Sequence, residues 1–311
     1  MTPDTRLRGA RLLLWITPAL WSSNYIIARA ANGVIAPHAL ALGRWTLALA
    51  LMLPFVWREL ATADPRWRGE WRQMLVLGAL GMWICGAFVY IGAQSTSATN
   101  IGLIYAATPV GIALVSRWAL HEATTAVQRG AMGLALIGVL FVIAKGSLGN
   151  LLSVRFTAGD GWIVVAAVSW VAYSVLQQRW PSVLSARARL ACITAGGLLV
   201  LLPFTLLELA WSSAPPLSMQ AALLIALAGV LPGFLSYQAY AIMLRELGAT
   251  RSGLVMYLSP IYAAGSAWWL LGEAPQGYHG VGALLILPSI FLATREPANR
   301  EGRGALSDTG N

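Results

Sequence analysis

Residues 98–123 read ATNIGLIYAATPVGIALVSRWALHEA, and residues 249–274 read ATRSGLVMYLSPIYAAGSAWWLLGEA. A shift of 151 lays one on the other without a gap, and ten of the twenty-six positions are identical. The matches are Ala98/Ala249, Thr99/Thr250, Gly102/Gly253, Leu103/Leu254, Pro109/Pro260, Ala113/Ala264, Trp118/Trp269, Leu120/Leu271, Glu122/Glu273 and Ala123/Ala274, and Thr108/Ser259 keeps a hydroxyl before the shared proline. Each copy holds an apolar run of about twenty residues, enough to cross a ~30 Å hydrocarbon core as a helix. A carboxylate closes each run. Gapless coincidence of Gly, Pro, Trp and Glu marks an internal duplication.

Working outward, ten such runs are expected as membrane spans, with cores Leu12–Ala30, Ala39–Trp57, Met74–Gly92, Asn100–Ala119, Gly130–Ala144, Trp162–Trp180, Leu190–Leu209, Ala221–Met243, Ser252–Leu271 and Gly280–Ala293. The duplication extends over them. Trp21-Ser-Ser-Asn24 answers Trp170-Val-Ala-Tyr173 and Pro54-Phe55 answers Pro203-Phe204 at an offset of 149, while Gly78 answers Gly229 at 151. Arg6, Arg8 and Arg11 before the first run, with Ala28-Arg29-Ala30 after it, look like a secretory signal. The run has a counterpart in the second half, so it is read as a retained span. The expectation is an all-α integral membrane protein of ten transmembrane helices: residues 1–150 form one five-helix repeat, 151–294 a second, and 295–311 a disordered cytoplasmic tail.

Five is odd, so the second copy must enter from the opposite face, and the halves are inverted about an axis in the membrane plane. With both termini in the cytoplasm, seventeen of the twenty-one Lys and Arg fall in inside segments. Only Arg29, Lys145 and Arg155 fall outside, and Arg44 lies within the second span. That is the positive-inside pattern. Loops are short except Arg58–Arg72 and Lys145–Gly161, so no soluble domain is expected and function must sit among the helices.

The composition supports this reading. Of 311 residues, 58% are hydrophobic and 11% charged, against roughly a quarter charged in soluble domains. Fourteen Trp and nine Tyr suit many membrane–water boundaries. A net charge of +9 is scattered in ones to fours, without the contiguous basic, aromatic-laced patch that nucleic acid requires. Cys85 and Cys192 are far apart in apolar runs and read as buried small hydrophobes. The histidines are not at mutual ligand spacing, and there is no HExxH or GxSxG. No metal, cofactor or enzymatic activity is expected.

All twelve acidic residues lie in loops or at span ends, so no mid-membrane carboxylate signals proton or cation coupling. Glu122 and Glu273 read as helix-end or packing groups. Arg44 reads first as snorkelling to the outer headgroups, with attraction of a substrate carboxylate or a gate role as the alternative. Polar and aromatic side chains within spans need protein or water partners, since lipid offers none. Asn24, Trp83, Tyr90, Tyr105, Trp170, Tyr173, Gln177, Tyr237 and Tyr257 are therefore the candidate substrate-binding set, lining an aromatic, hydroxyl-rich, uncharged cavity. Trp83 and Tyr90 are seven apart and so expected on one helical face. Pro109, Pro232, Gly233 and Pro260 interrupt spans and are the candidate hinges.

Leu20-Trp21-Ser22-Ser23-Asn24, Arg44-Trp45, Ala98-Thr-Asn…Thr108-Pro109…His121-Glu122 and Ala249-Thr-Arg…Ser259-Pro260…Gly272-Glu273 together resemble the drug/metabolite transporter superfamily in its EamA-type, ten-helix branch. Within it the chain looks most like bacterial inner-membrane exporters of aromatic amino acids. The resemblance implies a monomeric basket of ten helices in the lipid bilayer, alternating access of the two halves to a central cavity, and a small-molecule substrate. The first-span Glu that small multidrug relatives use for proton coupling is replaced here by Trp21-Ser-Ser-Asn24. A channel or a non-transporting structural protein is the other function class. A channel wants a ring of like side chains around its pore, and one pseudo-twofold chain offers none.

Overall fold

A computed structural model describes residues 3–212, 216–271 and 274–294, and these are helix and loop without any strand. The long helices are α1 (Pro3–Ala30), α2 (Pro37–Thr62), α3 (Pro65–Ala93), α4 (Ala98–Ala106 continued by Thr108–Ala119), α5 (Ala126–Ile143), α6 (Ala158–Arg179), α7 (Ala186–Trp211) and α8 (Met219–Leu247). After them come α9, formed by Ala249–Gly253, Leu254–Leu258 and Ser259–Leu271, and α10 (Gly277–Thr294). Among the described residues eight helices, α2 to α8 and α10, are long and apolar enough to cross a membrane. The chain is a multi-pass, all-helical membrane protein. The other two expected spans fall on α1, whose apolar run is diluted by Ser22, Ser23, Asn24 and Tyr25, and on the broken α9. Glu273 and the expected tail lie outside the described residues.

Local chemistry sets the ends. Thr125 and Gln128 form a reciprocal capping box that starts α5, and the Ser185 and Ser218 hydroxyls cap α7 and α8. Gly248 takes φ +85° between α8 and α9, where a Cβ would be strained. The stretch Arg58–Arg72, expected as a loop, is mostly helical: α2 continues to Thr62, and Asp64 then caps a 3-10 turn over Pro65–Glu70 by accepting from Arg66 N at 2.9 Å.

Large apolar side chains such as Phe55, Ile137, Val168, Leu199 and Leu284 are exposed, as suits helices whose outer surfaces meet lipid. Helices approach through small residues. Backbone comes nearest to backbone between α3 and α7, where a Cβ built on Gly78 would stand 2.2 Å from Gly197 N and 2.6 Å from Ile193 O. Packing partners come in corresponding sets. α3 packs on α6 and α1 on α8; α3 packs on α7 and α2 on α8; α4 packs on α6 and α1 on α9; α2 pairs with α7 and α5 with α10.

Two further features recur at the repeat offset. α3 carries a π-helical turn at Ala79–Ile84 and α8 one at Gly229–Leu235. Trp83 stacks on Phe204 with ring centroids 3.9 Å apart, and Phe234 stacks on Phe55 at 6.3 Å. Carboxylates at span ends are helix caps. Glu208, at the end of α7, accepts from the backbone N–H of His38 (2.8 Å) and Ala39 (3.2 Å) at the start of α2. Glu59, at the end of α2, accepts from the N–H and hydroxyl of Ser185 at the start of α7, both at 2.7 Å. Negative charge at a helix N-terminus meets unpaired N–H groups and the positive end of the helix dipole. Glu122 likewise accepts from the Thr250 hydroxyl at 2.6 Å, at the start of α9.

Candidate functional site

The π turns decide the centre of the molecule. A π turn releases backbone carbonyls from the i→i−4 ladder, and in a lipid-embedded bundle they need other donors. Three successive carbonyls of α3 are met by three other helices. Ser169 Oγ donates to Leu80 O (2.8 Å), Tyr237 OH to Gly81 O (3.1 Å) and Trp45 Nε1 to Met82 O (2.9 Å). In α8 the carbonyl of Pro232 receives Arg44 Nη2 at 2.9 Å. Arg44 Nη1 also donates to Tyr90 OH at 3.0 Å and Asn24 Oδ1 at 3.3 Å, and Tyr90 OH donates to the same Asn24 Oδ1 at 2.8 Å. The guanidinium lies over the Trp45 ring, 4.5 Å from its centroid.

Arg44 is 3% exposed. It does not snorkel, because Asn24, Tyr90 and Pro232 O hold it inward from α1, α3 and α8. Beside it lies a cavity of about 60 Å³ lined by Trp21, Asn24, Tyr25, Arg44, Cys85, Val89, Tyr105, Trp170, Tyr237, Met256 and Ser259. Among the described residues no Asp or Glu lines it. The expected uncharged cavity is thus corrected: it carries a buried cation.

Four of the candidate residues, Asn24, Tyr105, Trp170 and Tyr237, line this cavity, and Tyr90 stands behind Asn24. Tyr173 is buried behind Trp170, its ring stacked at 5.4 Å. Gln177 lines a different cavity, of about 240 Å³, with Gln178, Arg189 and Arg245. Trp83 faces Phe204 of α7 and not the centre, because the π turn adds a residue to the helix and rotates Trp83 off the face of Tyr90. Tyr257 packs with Ala106, Met132 and Ile286 in a separate apolar cluster. Sequence reasoning missed Trp21 and Tyr25 as wall residues, although both lie in or beside the quoted Trp21–Asn24 motif. Met256 carried no signal beyond its alignment with Tyr105.

The central cavity has an open side and a closed side. It shares Tyr25, Tyr105, Met256 and Ser259 with a cavity of about 330 Å³ that reaches Lys145, Tyr278 and His279. It shares Tyr25 and Val89 with one of about 520 Å³ that reaches Arg29, Asn32 and Ser97. Towards Gln177 it is shut by rings packed edge-on and tilted: Trp21–Trp170 at 5.2 Å, Trp170–Tyr240 at 4.8 Å and Trp21–Tyr240 at 5.3 Å. Ser174 Oγ and Tyr240 OH, 2.8 Å apart, close the same layer.

The candidate hinges are placed as follows. α4 is interrupted at Ala107 and restarts at Thr108, and Thr108 Oγ1 donates to Tyr105 O at 2.6 Å, the carbonyl that Pro109 leaves free. α9 passes through a 3-10 turn just before Pro260. Pro232 and Gly233 lie in the π turn of α8.

The sequence model of the EamA-like transporter family matches the chain twice, over residues 9–144 and 157–295. The chain belongs to that family. EamA-like proteins are transporters, not enzymes, and the relatives carry transporter names. An uncharacterized transporter of Archaeoglobus fulgidus is 26% identical over 286 residues, covering 91% of this chain and 96% of its own. The S-adenosylmethionine/S-adenosylhomocysteine transporter of Chlamydia trachomatis serovar D is 23% identical, covering 86% of this chain and 84% of its own. A solved crystal structure superposes with a TM-score of 0.72 at 20% identity, over 92% of this chain and 96% of that one, a likeness of fold alone.

Proposed function

We propose that this EamA-like chain moves small amphipathic metabolites, aromatic amino acids among them, out of a bacterial cell across the inner membrane. It works by alternating access of two inverted five-helix halves. The observation that carries the reading is the central cavity, open through large vestibules on the Lys145 side and sealed by a layer of packed rings on the Gln177 side. Inversion is supported by the reciprocal packing of corresponding helices, the paired π turns, and the exchanged caps Glu59 and Glu208. The charge bias puts the Lys145 side outside, so this state faces outward and the aromatic layer shuts the cytoplasmic side. The adjoining cavity of about 330 Å³ reaches the size range of small-molecule sites. The Chlamydia relative is named for solutes that also join a flat ring to an amino-acid end, which suits the same wall of rings. With no carboxylate on the central cavity among the described residues, transport is facilitated or of the exchange type, driven largely by the substrate gradient.

Two measurements test this. In liposomes, labelled phenylalanine should accumulate against internal unlabelled phenylalanine by counterflow; passage without trans-stimulation would indicate a channel, and no passage would remove aromatic amino acids as substrates. In intact cells, a cysteine placed at Ser97 should react with an impermeant reagent, and one at Asp64 only after permeabilisation. The opposite pattern would overturn the orientation and the inversion with it.

A further inference from the structure

We infer that Arg44 is an anion-binding site that takes the carboxylate of the transported solute, so the site selects solutes with a carboxylate on an apolar or aromatic body. The inference deepens the transport reading and rests on it only for what happens after binding. Arg44 is buried with no counter-ion among the described residues: its hydrogen-bond partners are an amide oxygen, a phenol and a backbone carbonyl. These neutral groups hold three of the five guanidinium N–H donors. Nε–H is buried and has no acceptor. A purely structural clamp between α1, α3 and α8 would explain the three bonds and leave the rest unexplained. The second observation is independent. Trp170, which lines the same cavity, also keeps its donor-only Nε1 buried without an acceptor.

A site with unused donors, a fixed positive charge and no Asp or Glu on its wall is complementary to a ligand rich in acceptors and carrying one negative charge. The guanidinium cannot lose its proton at any working pH, so the ligand must bring the charge that makes the buried site neutral. A carboxylate also offers two oxygens to the Nε/Nη2 edge, the usual bidentate match. An ammonium group in the same cavity meets a fixed cation and neutral acceptors alone: Asn24 Oδ1, which already accepts two bonds, the hydroxyls of Tyr25, Tyr105 and Ser259, and ring faces. The structure therefore ranks carboxylates above amines of the same size.

The test uses the full-length protein in detergent, with 3-phenylpropanoate, its neutral amide and phenethylamine as probes, read by tryptophan quenching and by thermal unfolding. The carboxylate should bind about tenfold or more tightly than either other probe, the worth of one or two charged hydrogen bonds. Arg44→Gln should lose that preference, and Arg44→Lys, which keeps charge but not the fork, should fall between. Equal affinity for the three probes, or no binding of any, would overturn the inference even if Arg44→Gln does not fold. So would a folded Arg44→Gln that binds the carboxylate like the parent. Carboxylate-selective binding without counterflow would uphold the anchor and remove the transport reading; counterflow of phenylalanine unchanged in Arg44→Gln would do the reverse.

Discussion

Gly78→Ala should destabilise the protein by about 3 kcal/mol, while the same change at Gly130 leaves it unchanged or slightly more stable. At Gly78 the added carbon would stand 2.2 Å from Gly197 N and 2.6 Å from its Cα. Both are backbone atoms of α7, so no side chain can turn aside and the helices must part. Overpacking typically costs about 1–3 kcal/mol, and the upper end applies where backbone meets backbone. Parting α3 from α7 also disturbs the π turn that begins at Ala79. Gly130 has nothing within 4 Å of its added carbon, and alanine gains about 0.5–1 kcal/mol over glycine inside a helix. Unfolding of the purified variants compares the two directly, and equal stabilities would mean that the α3–α7 crossing is looser than described.

Trp170→Ala should have the largest effect on transport. The ring is 2% exposed and touches Trp21, Tyr173, Tyr237 and Tyr240, with centroids 4.8 to 5.6 Å away. Truncation removes a wall of the cavity and the centre of the layer that closes it. Each aromatic partner adds about 0.5–1.5 kcal/mol beyond area, a several-fold loss of apparent affinity for a ring-bearing solute. Tyr237→Ala should act in the same direction and also frees the Gly81 carbonyl. Trp57, at the end of its span and 55% exposed, should tolerate alanine. The readout is the ratio of phenylalanine to alanine transport in one preparation, which cancels differences in expression. Unchanged ratios in Trp170→Ala and Tyr237→Ala would place the cavity elsewhere.

Much of this was legible in the sequence because duplication and hydropathy report on backbone path. The offset that pairs Pro54 with Pro203 also pairs Glu59 with Glu208, whose exchanged caps give the pairing a physical meaning. The centre was less legible. Trp83 and Tyr90 were placed on one face by α-helical periodicity, which fails where the helix takes a π turn. Nothing in the local sequence around Ala79–Ile84 announces that turn. Its stability comes from Ser169, Tyr237 and Trp45 on three other helices, so it is a tertiary property. Arg44 was misplaced for a related reason. Six residues into a span, an arginine can reach the headgroups, and only the arrival of Asn24, Tyr90 and Pro232 O from other helices turns it inward.

The exchanged caps bear on how such a molecule can move. Glu59 grips the head of α7 and Glu208 the head of α2, at opposite ends of one antiparallel pair. Sliding either helix along the other would pull at least one carboxylate from its N–H groups. The two caps therefore resist shear of one helix along the other. In the proposed alternating-access cycle, α2 and α7 are thus the spindle, and the travel falls to the helices hung around it.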